Sequence, residues 1–120
     1  MASRLITHPD AHAKALAYYH KLNVALVAAA PIAVLAHPSP LSTPVDLAIG
    51  IALPIHAHVG MMNVISDYAP KISKHAAAPM RASMAGLTAV TIAGLLRLNL
   101  QGAGITETAK SLWRTSATSR

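Results

Sequence analysis

Three stretches of the chain run for about the length of a bilayer crossing with almost no charge. Residues 22–45 contain no Asp, Glu, Lys or Arg. Their apolar heart, 22–35, is short for the roughly 20 residues that a span needs. Taking in 17–21, with the Lys21 ammonium reaching back to the surface and Tyr18 and Tyr19 at the interface, makes up the length. Residues 47–66 are free of formal charge and long enough by themselves. Residues 82–100 are interrupted only by Arg97, about one turn from the end, where it reaches outward. The pattern predicts an all-α membrane protein with three transmembrane helices, at about 17–36, 45–68 and 80–100. Short amphipathic N- and C-terminal segments complete a single membrane-anchor domain.

The polar stretches supply the punctuation. The first twenty residues are mixed in character and are expected as a solvated arm, with a short surface helix from Pro9 onward as the alternative. The Pro- and Ser-rich run 37–44 reads as a loop, with Ser42 or Thr43 before Pro44 opening the second helix. Pro31 and Pro54 lie inside helices and are expected to bend them. Residues 69–81, with Pro70, Pro79, Lys71, Lys74, His75 and Arg81, read as a basic loop. Small residues recur along the third helix and permit close helix contacts. Residues 101–104 form a turn, and 105–113 an amphipathic segment with Trp113 at the interface.

Composition narrows the class. Only 12% of the 120 residues are charged, 53% are apolar, and Phe is absent. Such a chain suits helices packed through small side chains and suits a soluble β domain poorly. The net charge of +6 is spread over helix flanks and not gathered in runs, so it reads as membrane topology before nucleic-acid binding. With no cysteine, the chain itself offers no disulfide, iron–sulfur ligand or thiolate nucleophile. Residues 1–21 lack the apolar core of a secretory signal peptide. Basic residues favour the N-terminal arm and the second loop, while the first loop has none and is followed by Asp46. The positive-inside rule then puts the N-terminus and the end of the second helix on the inner side. Lys110, Arg114 and Arg120 in the tail vote the other way, and the short loops weigh more.

The polar side chains concentrate on the second helix, in the run HAHVGMMNVISDY from His56 to Tyr68. At about 100° per residue, His56, Gly60, Asn63 and Asp67 share one stripe, and His58 points nearly the opposite way. The rise from His56 to Asp67 is about 16 Å. An imidazole at such depth is either a hydrogen-bonded structural residue or a haem ligand, and His56 and His58 cannot serve one iron together. Asp67-Tyr68 is either a helix end with an interfacial phenol or a quinone head-group site, where a phenol donates to a carbonyl and an acid relays protons.

His56-Ala57-His58-Val59-Gly60 followed by Asn63-Val64-Ile65-Ser66-Asp67-Tyr68 resembles the H-x-[HW]-x-G-x-x-x-V-[VIL]-[TS]-D-Y signature of the small membrane-anchor subunit of succinate dehydrogenase, the cytochrome b small subunit of respiratory complex II. Asp46, Gly94-Leu95, Asn99, Gly104-Ile105 and Leu112-Trp113 resemble that family at the same spacing, so the likeness covers about residues 46–113. The first helix matches only in character, and Arg97 stands where relatives are usually uncharged. The resemblance implies that His56 ligates the iron of haem b, shared with the larger cytochrome b anchor subunit. It implies that Tyr68 hydrogen-bonds ubiquinone with Asp67 beside it, and it gives His58 no ligand role. His20 or Lys21 pairing with a haem propionate rests on charge and depth alone. The expected role is an integral subunit of succinate:ubiquinone oxidoreductase in the mitochondrial inner membrane, N-terminus in the matrix. It would tether the flavoprotein and iron–sulfur subunits and have no succinate chemistry of its own. Alternatives are the anchor of a quinol:fumarate reductase and a purely structural membrane subunit without an intact haem or quinone site. A small transporter or channel would want polar stripes on several helices, and only one has such a stripe.

Overall fold

The structure is a computed structural model that describes residues 2–9 and 13–118. Five helices follow one another: α1 (Ala2–Thr7), α2 (Ala13–Ala36), α3 (Ser42–Ile72), α4 (Ala77–Gln101) and α5 (Ile105–Thr118), with no strand among the described residues. Three of them, α2, α3 and α4, are long and apolar enough to cross a membrane. The connections 37–41 and 73–76 are short, so these three run antiparallel to their neighbours.

Each long helix extends past the expected bounds. Leu41 takes the N-cap position of α3, so Ser42 sits inside the first turn, where its hydroxyl donates to Ser39 O at 2.9 Å. Pro44 follows in the same turn, where a missing N–H breaks no intrahelical bond. The stretch expected as a basic loop over 69–81 is mostly helical. α3 continues through Pro70 to Ile72, and α4 starts at Ala77 with Pro79 in its first turn. Pro79 lies in a first turn, where a missing donor breaks no intrahelical bond, while Pro70 costs the last turn of α3 one donor.

The packed core is thin. Met62, Ile65 and Ala69 on α3 meet Ala76, Ala77 and Met84. α2 buries only Ala33, and Val27, Leu35, Leu87 and Val90 stand exposed. These outward apolar faces match a chain surrounded by lipid or by another apolar chain.

The two small helices lie at opposite ends of the three long ones. Residues 2–7, expected as part of a solvated arm, form α1, which packs on the bundle. The alternative surface helix from Pro9 falls partly on residues 10–12, outside the described residues. At the other end, α5 is strapped across the close of α2: the Lys110 ammonium donates to Val34 O at 2.9 Å, and His37 Nε2 lies 3.1 Å from Glu107. Trp113 on α5 is exposed, as an interfacial anchor is. Arg120 lies outside the described residues.

Candidate functional site

The second long helix, α3, turns its two histidines to different neighbours. His56 faces α2, where its ring stacks on Tyr19 with centroids 4.5 Å apart and planes 9° from parallel. Gly60, one turn on, makes room for that tyrosine: a Cβ there would lie 3.3 Å from the Tyr19 hydroxyl. The His56–Gly60 part of the polar stripe is thus the seat of Tyr19. His56 Nδ1 is the one buried side-chain polar atom without a hydrogen-bond partner among the described residues. Stacking covers a face of the imidazole and leaves the ring's nitrogens, which bind in the ring plane, open to a metal.

His58 is buried on the far side of α3. Its Nε2 lies 2.6 Å from Ile6 O and its Nδ1 2.8 Å from Thr88 Oγ1. A carbonyl only accepts, so Nε2 carries a proton and donates to α1, while the Thr88 hydroxyl at Nδ1 donates to Met84 O at 2.8 Å. Both nitrogens are engaged, so His58 ties α1, α3 and α4 together.

Arg81, expected in a solvated loop, is instead 8% exposed on α4. It donates to Thr7 O and to Ser66 Oγ, and Nη1 lies 3.7 Å from Met62 Sδ. A guanidinium is buried only where its fixed fork of donors is matched, and here carbonyl, hydroxyl and thioether acceptors do so. Ser66 is the residue before Asp67-Tyr68, so Arg81 fixes the turn of α3 that presents that pair. The pair itself is exposed, with the Lys71 ammonium 4.8 Å from the centre of the Tyr68 ring. His56 and Tyr68 are about 18 Å apart along the helix, so they lie in separate parts of α3. Lys21 and His20 are exposed on α2, and the Lys21 ammonium is 5.9 Å from the Tyr18 ring. No group of three or more His, Asp and Glu gathers to hold a metal ion among the described residues, and an axial haem ligand needs only one imidazole.

A further constellation joins residues that sequence reading left separate. Asp46, 4% exposed near the start of α3, accepts from the Thr106 amide at 3.1 Å and from the Thr106 hydroxyl. Asn99 donates to Asp46 O at 2.9 Å and accepts from the Ile105 amide at 3.0 Å. Gly104 takes φ +88°, and a Cβ there would lie 2.9 Å from Asp46 Oδ2. Together these groups cap the N-terminus of α5 from other helices. One signal was available: α5 opens Gly-Ile-Thr after the turn, without an Asp, Asn or Ser of its own to serve as cap.

Comparison with known proteins follows the same residues. The family model described as "CybS, succinate dehydrogenase cytochrome B small subunit" matches residues 5–114. The chain is 36% identical over 95 residues to a mitochondrial succinate dehydrogenase (ubiquinone) cytochrome b small subunit of Danio rerio, covering 77% of this chain and 54% of that protein. It is 32% identical over 117 residues to the corresponding protein of Xenopus tropicalis, covering 92% of this chain and 73% of that one. For the Mus musculus protein the match is 36% over 70 residues and 43% of its length. The chain thus spans about half the length of several curated relatives. No solved structure matches it.

Proposed function

Because the chain belongs to the succinate dehydrogenase cytochrome b small-subunit family, we propose that it is a membrane-anchor subunit of succinate:ubiquinone oxidoreductase, complex II, in the mitochondrial inner membrane. In this reading it crosses the membrane three times with the N-terminus in the matrix. It tethers the flavoprotein and iron–sulfur subunits beside the larger cytochrome b anchor subunit, and is non-catalytic on its own.

The observation that carries the reading furthest is the His56 imidazole, stacked on Tyr19 with a buried nitrogen that nothing among the described residues satisfies. An unmatched buried nitrogen costs about 1–3 kcal/mol, which a ligand or partner chain at that point removes. We assign His56 as the residue of this chain that would ligate the iron of haem b, with a further ligand from the larger anchor subunit, and Lys21 as the residue that would pair with a propionate. When bound, the haem supplies a one-electron redox centre. Tyr19 holds the His56 ring plane.

Further along α3, Tyr68 donates its phenolic proton to a ubiquinone carbonyl, and Asp67 serves as a proton relay toward solvent. The two electrons come from the iron–sulfur subunit, and two protons complete the quinol. Both side chains are exposed, as groups that meet a diffusing substrate and a partner chain must be. The Lys71 ammonium against the Tyr68 ring restrains the phenol.

The test is a reduced-minus-oxidised optical spectrum of the complex that carries this chain, wild type and His56→Ala. A b-type signal that disappears in the variant is expected, and one that persists moves the ligand off this helix. In parallel, Tyr68→Phe is expected to lower kcat/KM for quinone by about tenfold, one hydrogen bond's worth. Succinate oxidation with a soluble dye acceptor is expected to be unchanged. Equal quinone kinetics in the variant removes Tyr68 from the site.

A further inference from the structure

An open groove of about 1400 Å³ runs between the N-terminal part of α2, α1 and the middle of α3. Its wall includes Tyr19 but not His56, so it adjoins the proposed haem ligand without containing it. The floor is apolar, made by Leu22 and Ala25 of α2 and by Ile55 and Val59 of α3. Cations Arg4 and Lys14 line the mouth, the end nearest the start of α2, with Tyr18 close by, and Lys21 lies level with the apolar part. No Asp or Glu occurs in the described lining, and Asp10 lies outside the described residues.

Charge and greasiness are sorted along one direction. By helix rise, Leu22 and Ala25 lie about 12 and 16 Å farther along α2 than Lys14. A soluble anion would use the mouth and leave the floor bare, and an uncharged hydrocarbon would do the reverse. The ligand that uses both is an amphiphile with an anionic head. A basic pocket between membrane helices, at the side where positive charge gathers, is where such head groups are held.

We propose that this groove is a specific site for an anionic phospholipid. The phosphate sits between Arg4 and Lys14, and an acyl chain lies along Leu22, Ala25, Ile55 and Val59. The site draws only on the chain's membrane-crossing character and its own lining, and does not depend on the haem assignment. It also gives α1 a role: the bonds from His58 and Arg81 to Ile6 O and Thr7 O hold Arg4 over the mouth.

The test uses the complex that carries this chain, delipidated in detergent and titrated with phosphatidylglycerol or phosphatidylcholine under native mass spectrometry. Wild type is expected to retain one phosphatidylglycerol in preference to phosphatidylcholine. The double variant R4Q/K14Q is expected to lose affinity about fivefold per removed charge, and R4K/K14R to keep it. Ala25→Phe, which fills the floor and leaves every charge in place, is expected to lose the adduct as well, and stands in if R4Q/K14Q does not assemble. The haem spectrum of the same samples is expected to be unchanged. Equal retention of the two lipids overturns the proposal, as does undiminished phosphatidylglycerol in both variants. Haem loss with the lipid retained also overturns it, because the groove would then belong to the haem edge. Inorganic phosphate at millimolar concentration displacing the lipid fully would reduce the site to a free-anion site and overturn it too.

Discussion

Asp46 is held by an amide and a hydroxyl, with no cation beside it among the described residues. Asp46→Ala removes both acceptors and leaves the Thr106 amide exposed at the start of α5, at a cost of about 1–3 kcal/mol. The expected result is faster hydrogen exchange at the Thr106 amide and easier proteolysis within α5, with α3 unaffected. Asn99 is held at the same point by a close approach, since a Cβ on Gly50 would fall 2.8 Å from its Nδ2. Gly50→Ala should therefore push Asn99 off Asp46 O and lower the melting temperature in detergent, by about 1–3 kcal/mol of stability. Gly86 has nothing within 4 Å of the same position. Gly86→Ala should be neutral or stabilising by up to about 1 kcal/mol, and equal effects at the two glycines would contradict this account of Gly50.

At the scale of elements, the six-residue α1 is too short to hold itself together. Its C-terminal carbonyls are satisfied from outside, Ile6 O by His58 on α3 and Thr7 O by Arg81 on α4. His58→Phe keeps the bulk and removes the donor; Arg81→Met keeps the length and removes the fork. Each is expected to weaken α1 docking by about 1–3 kcal/mol, read as loss of hydrogen-exchange protection in residues 2–7. Arg81→Met should in addition loosen the Ser66 turn before Tyr68, and so raise the KM for quinone more than His58→Phe does. Indistinguishable quinone kinetics in the two variants would deny Arg81 that positioning role.

The whole molecule is a bundle whose outer faces are as apolar as its interior. With α2 burying only Ala33, much of its surface is made for lipid or a partner chain. Val90, 71% exposed at the middle of α4, is such a position. Val90→Lys is expected to raise the insertion free energy of that segment by about 2.5–3.5 kcal/mol. The check is the fraction of chains with α4 inserted in a translocation assay. His75→Lys, outside the span, would not be felt, so an unaffected Val90→Lys would take α4 out of the hydrocarbon.

The sequence by itself determined the number, order and approximate extent of the long helices, because a bilayer reads a one-dimensional property: uncharged length. It also determined that His56, Gly60, Asn63 and Asp67 share a stripe opposite His58, because helical periodicity is local. The prolines at 70 and 79 misled at the second connection: Pro79 sits in a first turn, where its missing donor costs little, and α3 continues two residues past Pro70 at the loss of one bond in its last turn. What only the tertiary structure decided are the contacts between residues far apart in the chain: Tyr19 on His56, His58 on Ile6 O, Arg81 on Thr7 O, Asp46 on Thr106. In a soluble protein the buried face of each helix shows as the apolar one. Here lipid-facing and core-facing residues are both apolar, so the sequence does not say which side of α2 meets α3. A hydrogen bond 60 residues apart in sequence is settled only when the helices have docked and each buried polar group must find its partner.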